Sequence, residues 1–256
     1  MFGKLFGIGK KSKEESVNTT TASTPPDWSF LGTDIHSHLV PGIDDGAQTV
    51  EDSITLIRRL TGMGFKSIVT TPHIKSDHFP NSVTTITNGL KMLHNALADE
   101  GIDIPVRAAA EYYIDEHFRE LMEKKELLTI RNNEVLVELS FMFEPMNLHM
   151  ILFEMQTSGY RPILAHPERY GFYHNNYDAY RDLKNKGCLL QLNTISLSGY
   201  YGKQVKHIAE KLLHDGLYDY CGTDMHHVKH ADAMDRVYHS GIIEKLKSYP
   251  FLNKTV

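Results

Sequence analysis

The 256-residue sequence has few cysteines and no long hydrophobic run, and both absences narrow its function. With only Cys188 and Cys221, a disulfide framework is excluded and a reducing compartment is indicated. No stretch approaches the roughly 18 apolar residues that a membrane-spanning helix needs. Lys and Arg number 27 against 32 Asp and Glu, so the basic excess of a general nucleic-acid binder is missing. A nuclease is therefore the least favoured of the enzyme classes considered below.

Motifs of several common catalytic mechanisms are also missing. Neither cysteine is followed six residues later by arginine, because Thr194 and His227 stand at those positions. This excludes the C-x5-R loop in which cysteine-based tyrosine phosphatases hold phosphate on backbone amides. The sequence also has no G-x-S-x-G nucleophile elbow and no G-x4-G-K-[ST] phosphate loop.

Histidine, in contrast, is abundant. The chain has 15 histidines, about 6% of its residues and more than twice a usual share. Histidine is the commonest metal ligand in proteins and the commonest proton carrier near neutral pH. The positions of these histidines along the chain are therefore the most informative feature of the sequence.

From Thr33 onward, short runs rich in β-branched residues alternate with helical stretches. This alternation predicts a parallel sheet, and seven such units in one domain favour a closed β/α barrel. The predicted strands are Thr33–His36, Lys66–Thr71, Ile104–Ala110, Glu134–Leu139, Arg161–His166, Cys188–Asn193 and Tyr218–Thr223. The predicted helices are Val50–Met63, Val83–Ala98, Glu116–Glu126, Pro145–Ser158, Tyr177–Lys186, Lys203–Asp215 and Ala231–Ser248.

Residues 1–30 differ in composition from the predicted barrel domain, residues 31–256. The segment from Lys11 to Pro26 is polar and rich in Thr and Ser, which is typical of a disordered linker. Residues 2–13, which overlap its start, combine the apolar side chains of Phe2, Leu5, Phe6 and Ile8 with those of Lys4, Lys10, Lys11 and Lys13. This pattern fits a membrane-surface anchor, and it fits a frayed tail equally well.

A histidine or carboxylate follows or closes six of the seven predicted strands, and the sixth strand, ending at Asn193, offers no clear ligand. The carboxyl ends of barrel strands converge on one face, where active sites sit. Buried there, five histidines and four carboxylates need compensating charge, which two or three divalent cations would supply. The candidate ligands are His36, His38, Asp45, His73, Glu111, Glu138, His166, Asp224 and His226.

Some of these residues have other interpretations. Asp45 could be a turn or cap residue, and Glu138 could pair with an arginine. Imidazole and carboxylate ligands suit manganese, iron or zinc without choosing among them. Four histidines on predicted helices are interpreted as packing or surface residues: His94, His149, His207 and His214. The sequence does not decide the role of three others that lie near the motifs: His78, His227 and His230.

A site with several cations normally generates a metal-bound hydroxide, and phosphate esters are its natural substrates because cations neutralise their developing charge. Arg169, in H-P-E-R just after the fifth strand, is placed to bind a phosphate oxygen. The alternative for Arg169 is a salt bridge with the neighbouring Glu168.

The ordered motifs D-I-H-S-H-L-V-P-G-I-D-D-G, T-T-P-H, A-A-E-Y-Y, L-A-H-P-E-R-Y and G-T-D-M-H resemble those of the PHP (polymerase and histidinol phosphatase) superfamily. Within it they most resemble bacterial metal-dependent protein-tyrosine phosphatases that regulate capsule and exopolysaccharide production. The resemblance covers about residues 30–250. It implies a distorted seven-stranded, TIM-like β/α barrel with a trinuclear site, often manganese. By motif position it makes the nine candidates ligands and Arg169 the phosphate-binding residue.

The resemblance also implies a substrate: phosphotyrosine on the Tyr-rich tail of a bacterial tyrosine kinase that controls polysaccharide export. Because such a kinase is membrane-bound, we expect a cytoplasmic protein at the inner face of the membrane, with residues 2–13 as a contact. A homo-oligomer is left open. A nearby His or Asp can protonate the leaving phenolate, so Asp224 and His226 are catalytic candidates beside Arg169.

Two alternatives remain: a small-molecule phosphatase of the histidinol-phosphate type, and a metal-binding regulatory PHP domain without turnover. A shallow site mouth would favour a peptide, and a closed pocket a small molecule. Aromatic residues near the strand ends could form a rim for a phenyl phosphate or could pack between barrel and helices. They are Tyr112, Tyr113, Phe141, Phe143, Tyr170, Phe172 and Tyr173.

Overall fold

Strands and helices alternate along the chain in the computed structural model, which describes residues 25–256. The strands are β1 Thr33–Asp34, β2 Ser67–Thr70, β3 His73–Ile74, β4 Val106–Ala108, β5 Glu111–Tyr113, β6 Glu134–Glu138, β7 Arg161–Ala165, β8 Leu189–Asn193 and β9 Tyr220–Gly222. The helices are α1 Val50–Gly62, α2 Val83–Asp99, α3 Glu116–Glu123, α4 Leu148–Thr157, α5 Asp178–Asn185, α6 Lys203–His214, α7 Val228–Tyr238 and α8 Ile243–Ser248.

The strands form one curved parallel wall. They pair in the orders β1-β2-β4 and β3-β5-β6-β7-β8-β9. The chain passes from β2 to β3 across Thr71 and Pro72, and from β4 to β5 across Ala109 and Ala110. Hydrogen bonds from Ala109 N to Thr70 O (2.9 Å) and from Glu111 N to Pro72 O (3.2 Å) join the two sheets across these breaks. Nine short strands therefore form the wall where seven were predicted, because β3 and β5 lie just beyond the predicted ends of the second and third strands.

The last strand meets the first through an irregular seam. At the carboxyl ends, Asp224 N donates to His36 O (2.7 Å) and His38 N donates to Met225 O (2.9 Å). Deeper in the seam, the Asp34 carboxylate accepts hydrogen bonds from both the backbone N–H and the hydroxyl of Thr223, each 3.0 Å long. The Asp34 side chain thus makes hydrogen bonds where a regular sheet would have a ladder of backbone hydrogen bonds between the two strands. The prediction of a distorted β/α barrel is confirmed.

Alternation along the strands separates the barrel interior from the packing of the helices. In β6, Leu136 belongs to the small interior cluster, whereas Val135 and Val137 belong to the outer core beneath the helices. With this period of two, Glu138 lies on the same side as Leu136 at the carboxyl end of the strand. The apolar interior therefore forms a floor beneath the polar strand ends.

Most helices match their predicted positions. A capping box begins α1: the Thr49 hydroxyl accepts from Asp52 N and the Asp52 carboxylate accepts from Thr49 N, both at 3.1 Å. The single helix predicted over Ala231–Ser248 is wrong, because a turn containing Gly241 separates α7 from α8. Among residues 25–256, none of the helices combines the length and the apolar character needed to cross a membrane. The anchor or tail predicted at residues 2–13, and most of the linker, lie outside the described residues.

Candidate metal centre

Seven of the nine candidate ligands line one solvent-open cleft of about 280 Å³ at the carboxyl ends of the strands, and the fully buried His36 and His38 share sets of donor atoms with them. Their ring nitrogens and carboxylate oxygens form four overlapping sets, and within each set the donor atoms lie within 4.8 Å of one another. The sets are His38, Asp45, His73 and His226; His36, Glu111 and His166; His36, His38 and Asp224; and His73, Glu111 and Glu138.

The first two histidines are oriented toward the centre of the cluster by partners behind them. His36 donates through Nδ1 to Gln191 Oε1, and His38 donates through Nδ1 to Asp44 Oδ2, both at 2.8 Å. Their Nε2 atoms consequently lie 3.3 Å apart, and they lie 3.1 and 3.3 Å from Glu111 Oε2. Fixing one ring nitrogen so that the other faces inward is the usual arrangement of a metal-binding histidine. The donor set therefore fits divalent cations.

The electrostatics of the cluster agree with this interpretation. Burial alone would lower the pKa of His36, but the charges of Glu111 and Asp224 outweigh burial and raise this pKa to about 9. Burial, together with the charge of Glu111, raises the pKa of Glu138 well above its usual value. In contrast, burial lowers the pKa of His166 to about 4, helped by the positive charge of Arg169. Glu111 and Asp224 thus favour positive charge at the centre of the cluster, which a cation would supply, while the imidazole of His166 stays neutral, as a metal ligand must.

The loop after β1 contributes two adjacent carboxylates with different surroundings. Asp45 is about half exposed at the mouth of the cleft, with Oδ1 3.6 Å from His73 Nε2 and 3.4 Å from His226 Nε2. Asp44 is buried, and besides binding His38 it accepts hydrogen bonds from the backbone N–H groups of His73 (3.0 Å) and Gly46 (2.9 Å). Asp45 therefore faces the cleft as a potential ligand, whereas Asp44 orients its neighbours.

Arg169 reaches the same cleft from the short 3-10 turn after β7. Its guanidinium lies between two aromatic rings, with Cζ 4.7 Å from the centroid of Phe141 and 4.2 Å from that of Tyr201. Nη1 donates to Asp224 Oδ2 at 2.9 Å. The alternative salt bridge with Glu168 is not formed, because the buried Glu168 carboxylate instead accepts hydrogen bonds from the Asn193 N–H and from two hydroxyl groups.

Backbone geometry at the strand ends is unusual where it places ligands. His166 and Asp224 have positive φ angles of 34° and 50°, in the left-handed region that non-glycine residues rarely adopt. Such conformations concentrate at functional sites, where the surrounding structure holds them. Glycine is needed at position 222 for a different reason: a side chain there would overlap His36 and Gln191.

The sequence reasoning missed several residues that support the cluster. Gln191 and Asn193, on the strand that offered no ligand, bind His36 and Asp224, and Asn193 Nδ2 donates to Asp224 Oδ2 at 2.6 Å. Tyr201, which belongs to none of the sequence motifs, also lines the cleft. His227 and His230, whose role the sequence does not decide, line the cleft as well. In the sequence, Gln191 and Asn193 are marked only by their polarity near the end of a strand, and His227 and His230 only by their position close after the motif G-T-D-M-H.

Among the aromatic candidates, some could form a rim of the cleft and others pack between the barrel and its helices. Phe141 lines the cleft and stacks on His166, with 5.7 Å between ring centroids. Tyr112, Tyr170 and Tyr173 are buried in the outer core, as packing residues.

A parallel β/α barrel whose strand ends gather histidines, carboxylates and an arginine belongs to the class of metal-dependent hydrolase folds. More narrowly, the chain belongs to the capsular polysaccharide synthesis CpsB/CapC family, whose model matches residues 32–242. This membership confirms the family to which the sequence motifs pointed.

Two named relatives support this family assignment. The tyrosine-protein phosphatase YwqE of Bacillus subtilis (strain 168) is 30% identical over 197 residues, covering 77% of this chain and 78% of YwqE. The tyrosine-protein phosphatase CpsB of Streptococcus pneumoniae is 28% identical over 201 residues, covering 76% of this chain and 83% of CpsB.

A solved structure shows the same fold. It comes from crystallographic work on YwqE from Bacillus subtilis and CpsB from Streptococcus pneumoniae, described as unique metal-dependent tyrosine phosphatases. The two folds superpose with a TM-score of 0.75 at 28% sequence identity, and the match covers 84% of this chain and 89% of the solved one.

Proposed function

We propose that this protein is a metal-dependent protein-tyrosine phosphatase that hydrolyses phosphotyrosine on a protein substrate. The observation that carries the proposal is the convergence of nine potential ligand side chains and one arginine on a single cleft. Relatives that match over three quarters of this chain are named tyrosine-protein phosphatases, which supports the same activity.

We assign the metal ligands to the nine residues that the sequence singled out, and we propose two or three divalent cations, with manganese favoured over iron and zinc. The donor set contains nitrogen and oxygen atoms and no thiolate, which suits all three metals. When bound, such cations lower the pKa of water and neutralise the charge of phosphate oxygens. The ligands are His36, His38, Asp45, His73, Glu111, Glu138, His166, Asp224 and His226.

Arg169 is proposed to bind the phosphate. The guanidinium contacts the rings of Phe141 and Tyr201 through cation–π interactions, which use none of its N–H donors as hydrogen bonds. One of these donors binds Asp224, and the others can bind phosphate oxygens. The rings of Phe141 and Tyr201 also offer apolar surface to the phenyl group of a phosphotyrosine.

The two proton-donor candidates are also proposed ligands, and this limits both of them as proton donors. Burial raises the pKa of Asp224, but the nearby charges of His36, His226 and Arg169 outweigh burial and hold this pKa below its usual value. Asp224 is therefore ionised and serves as a ligand that also anchors Arg169. His226 donates through Nδ1 to Asp224 O (2.9 Å), which leaves Nε2 facing the cleft. Phenolate, with a pKa near 10, leaves without a strong general acid.

A protein substrate is favoured over a small molecule by the mouth of the cleft. Asp45 and Phe141 line it and are, respectively, about half and 43% exposed, so the cleft is open to solvent rather than enclosed. An open mouth accommodates a polypeptide on either side of the phosphorylated residue.

The decisive experiment compares a phosphotyrosine peptide with histidinol phosphate on protein purified without chelator, after its metal content has been measured. We expect turnover of the peptide that is lost with chelator and restored by Mn²⁺. Faster hydrolysis of histidinol phosphate would favour the small-molecule alternative. Absence of turnover on both substrates with metal present would favour a regulatory domain.

The physiological setting is a further part of the proposal. We infer a cytoplasmic protein whose substrate is the Tyr-rich tail of a membrane-bound bacterial tyrosine kinase. Residues 1–30 are proposed as an extension of the barrel domain, residues 31–256, with membrane contact through residues 2–13. Such contact would raise the effective concentration of enzyme near the kinase. Liposome co-sedimentation tests it: equal sedimentation with and without residues 2–13 would contradict the anchor.

A further inference from the structure

We propose that an apolar surface beside the cleft binds the side chains that flank the phosphotyrosine in the substrate. This inference rests on the proposed phosphatase function and adds to it a surface for substrate selection. We name this area the 141–153 surface. All its large apolar side chains are more than 40% exposed: Phe141, Met142, Phe143, Met146, Met150 and Phe153.

The helix that carries part of this surface is apolar on two sides. In α4, Leu148, Ile151, Leu152 and Met155 are buried against the barrel, as expected for a helix of a β/α fold. The opposite side would normally be polar, yet it presents exposed apolar residues there. An exposed apolar patch of this kind marks an interaction site more often than a chance exposure.

The 141–153 surface begins inside the cleft. Phe141 belongs to both, because it lines the cleft, stacks on His166 and lies under the guanidinium of Arg169. From Phe141 the chain runs through the exposed Met142, Phe143 and Met146 into α4. A polypeptide whose phosphotyrosine occupies the cleft therefore leaves it beside Phe141, where this surface begins.

The dimensions agree with a short peptide. A cleft of about 280 Å³ holds a phosphotyrosyl side chain, so the peptide backbone stays at its mouth. The ten residues of α4 span roughly 15 Å along the helix axis. An extended peptide covers that distance with about four or five residues. The surface thus reaches the residues closest to the phosphotyrosine in sequence.

The charge of the segment favours apolar peptide side chains over a membrane. From residue 139 to residue 157 the only charged side chains are Glu144 and Glu154, and Lys and Arg are absent. Glu154 is paired with Arg119 at 3.1 Å. Helices that lie on anionic membranes carry many basic residues, which this segment lacks. Methionine and phenylalanine together form adaptable surfaces that accept varied apolar side chains.

The test compares three substrates: p-nitrophenyl phosphate, a phosphotyrosine peptide with Leu and Phe flanks, and the same peptide with Gly and Ser flanks. The variant Met146→Gln/Phe153→Gln removes two exposed apolar side chains of the surface, one in the loop and one in α4, where Gln is compatible with the helix. Met92→Gln is the matched control, since Met92 is equally apolar and 51% exposed on α2, outside the surface.

We expect the double variant to lose about tenfold in kcat/KM on the peptide with apolar flanks. Activity on the other two substrates, and all activities of the Met92→Gln control, should stay unchanged. An equal effect on both peptides, or none on either, would overturn the docking surface while leaving the phosphatase function in place. A wild-type dimer that the double variant converts to monomer, with unchanged kinetics, would assign the surface to self-association instead. Absence of turnover on every phosphotyrosine substrate would overturn the proposed function itself.

Discussion

Arg169 donates a hydrogen bond from Nη1 to Oδ2 of Asp224 at 2.9 Å, and this contact links the proposed phosphate-binding residue to a proposed metal ligand. Asn193 Nδ2 donates to the same oxygen. With Oδ2 held by two donors, Oδ1 is left to face the Nε2 atoms of His36 (3.4 Å) and His38 (3.6 Å). Arg169 thus orients a carboxylate as well as presenting charge to the cleft.

Replacement of this arginine should affect substrate binding more than metal binding. For Arg169→Ala we expect kcat/KM to fall roughly 100-fold, mainly through a higher KM, because charge-assisted hydrogen bonds to phosphate are lost. Arg169→Lys should recover little, since a single ammonium group cannot reproduce the stacked, planar guanidinium. Steady-state kinetics, with metal content measured on the same samples, test this. An unchanged KM would contradict phosphate binding by Arg169.

The strand-end positions of the ligands could be predicted from sequence because parallel strands bring their carboxyl ends together whatever lies between them. The side chains that hold these ligands in position could not be predicted in this way. Gln191 lies 155 residues from His36, and an amide side chain carries no metal-binding signal. The left-handed conformation of His166 is likewise invisible in a motif, since it depends on the surrounding fold.

The adjacent aspartates illustrate the same limit. Of these two neighbours in the motif G-I-D-D-G, only Asp45 is predicted from the sequence as a ligand. Which of the two carboxylates faces the cleft depends on the backbone turn, where Gly46 N–H binds Asp44. A side chain on Gly46 would overlap His38, so the turn depends on glycine at this position.

Removing a ligand shared by two sets of donors should abolish activity without unfolding the barrel. His36 belongs to the set with Glu111 and His166 and to the set with His38 and Asp224. For His36→Ala we expect loss of bound metal and a fall in turnover larger than the roughly 100-fold typical of losing an outer partner. His214→Ala, at an exposed histidine, is the control and should behave as wild type. Full metal content in His36→Ala would contradict the assignment.

Asp44 tests the role of the side chains that hold the proposed ligands in position. It binds His38 Nδ1 and the His73 N–H, so Asp44→Asn keeps the shape of the side chain but removes the charge that orients these groups. We expect metal affinity to fall about 10–100-fold with the fold retained. Titration of metal into the chelated variant, monitored by calorimetry, measures this change. Asp77→Asn, on an exposed aspartate, is the matched control, and an equal effect there would indicate a nonspecific charge effect.

Cations should also stabilise the fold, because the donor groups converge only in the folded state. At a free metal concentration 100 times the Kd, linkage gives about 2.7 kcal/mol of stabilisation. For a chain of this size that corresponds to a rise in Tm of roughly 5–10 °C over the chelated protein. Differential scanning calorimetry with chelator and with added Mn²⁺ tests this expectation. The shift should shrink in His36→Ala, and an undiminished shift there would place the stabilising cation elsewhere.

The cysteines should take no part in catalysis. Cys188 and Cys221 are buried, and burial raises the pKa of each thiol to about 12. Because burial disfavours the thiolate, only roughly one thiol in 10⁴ is ionised at pH 8, and the neutral form is a poor nucleophile. We expect iodoacetamide to leave the folded enzyme fully active and unlabelled, and to modify both cysteines once guanidinium chloride unfolds the chain. Mass spectrometry of the two samples measures this difference. Inhibition that parallels alkylation of either thiol would contradict a mechanism built on the histidine and carboxylate cluster alone.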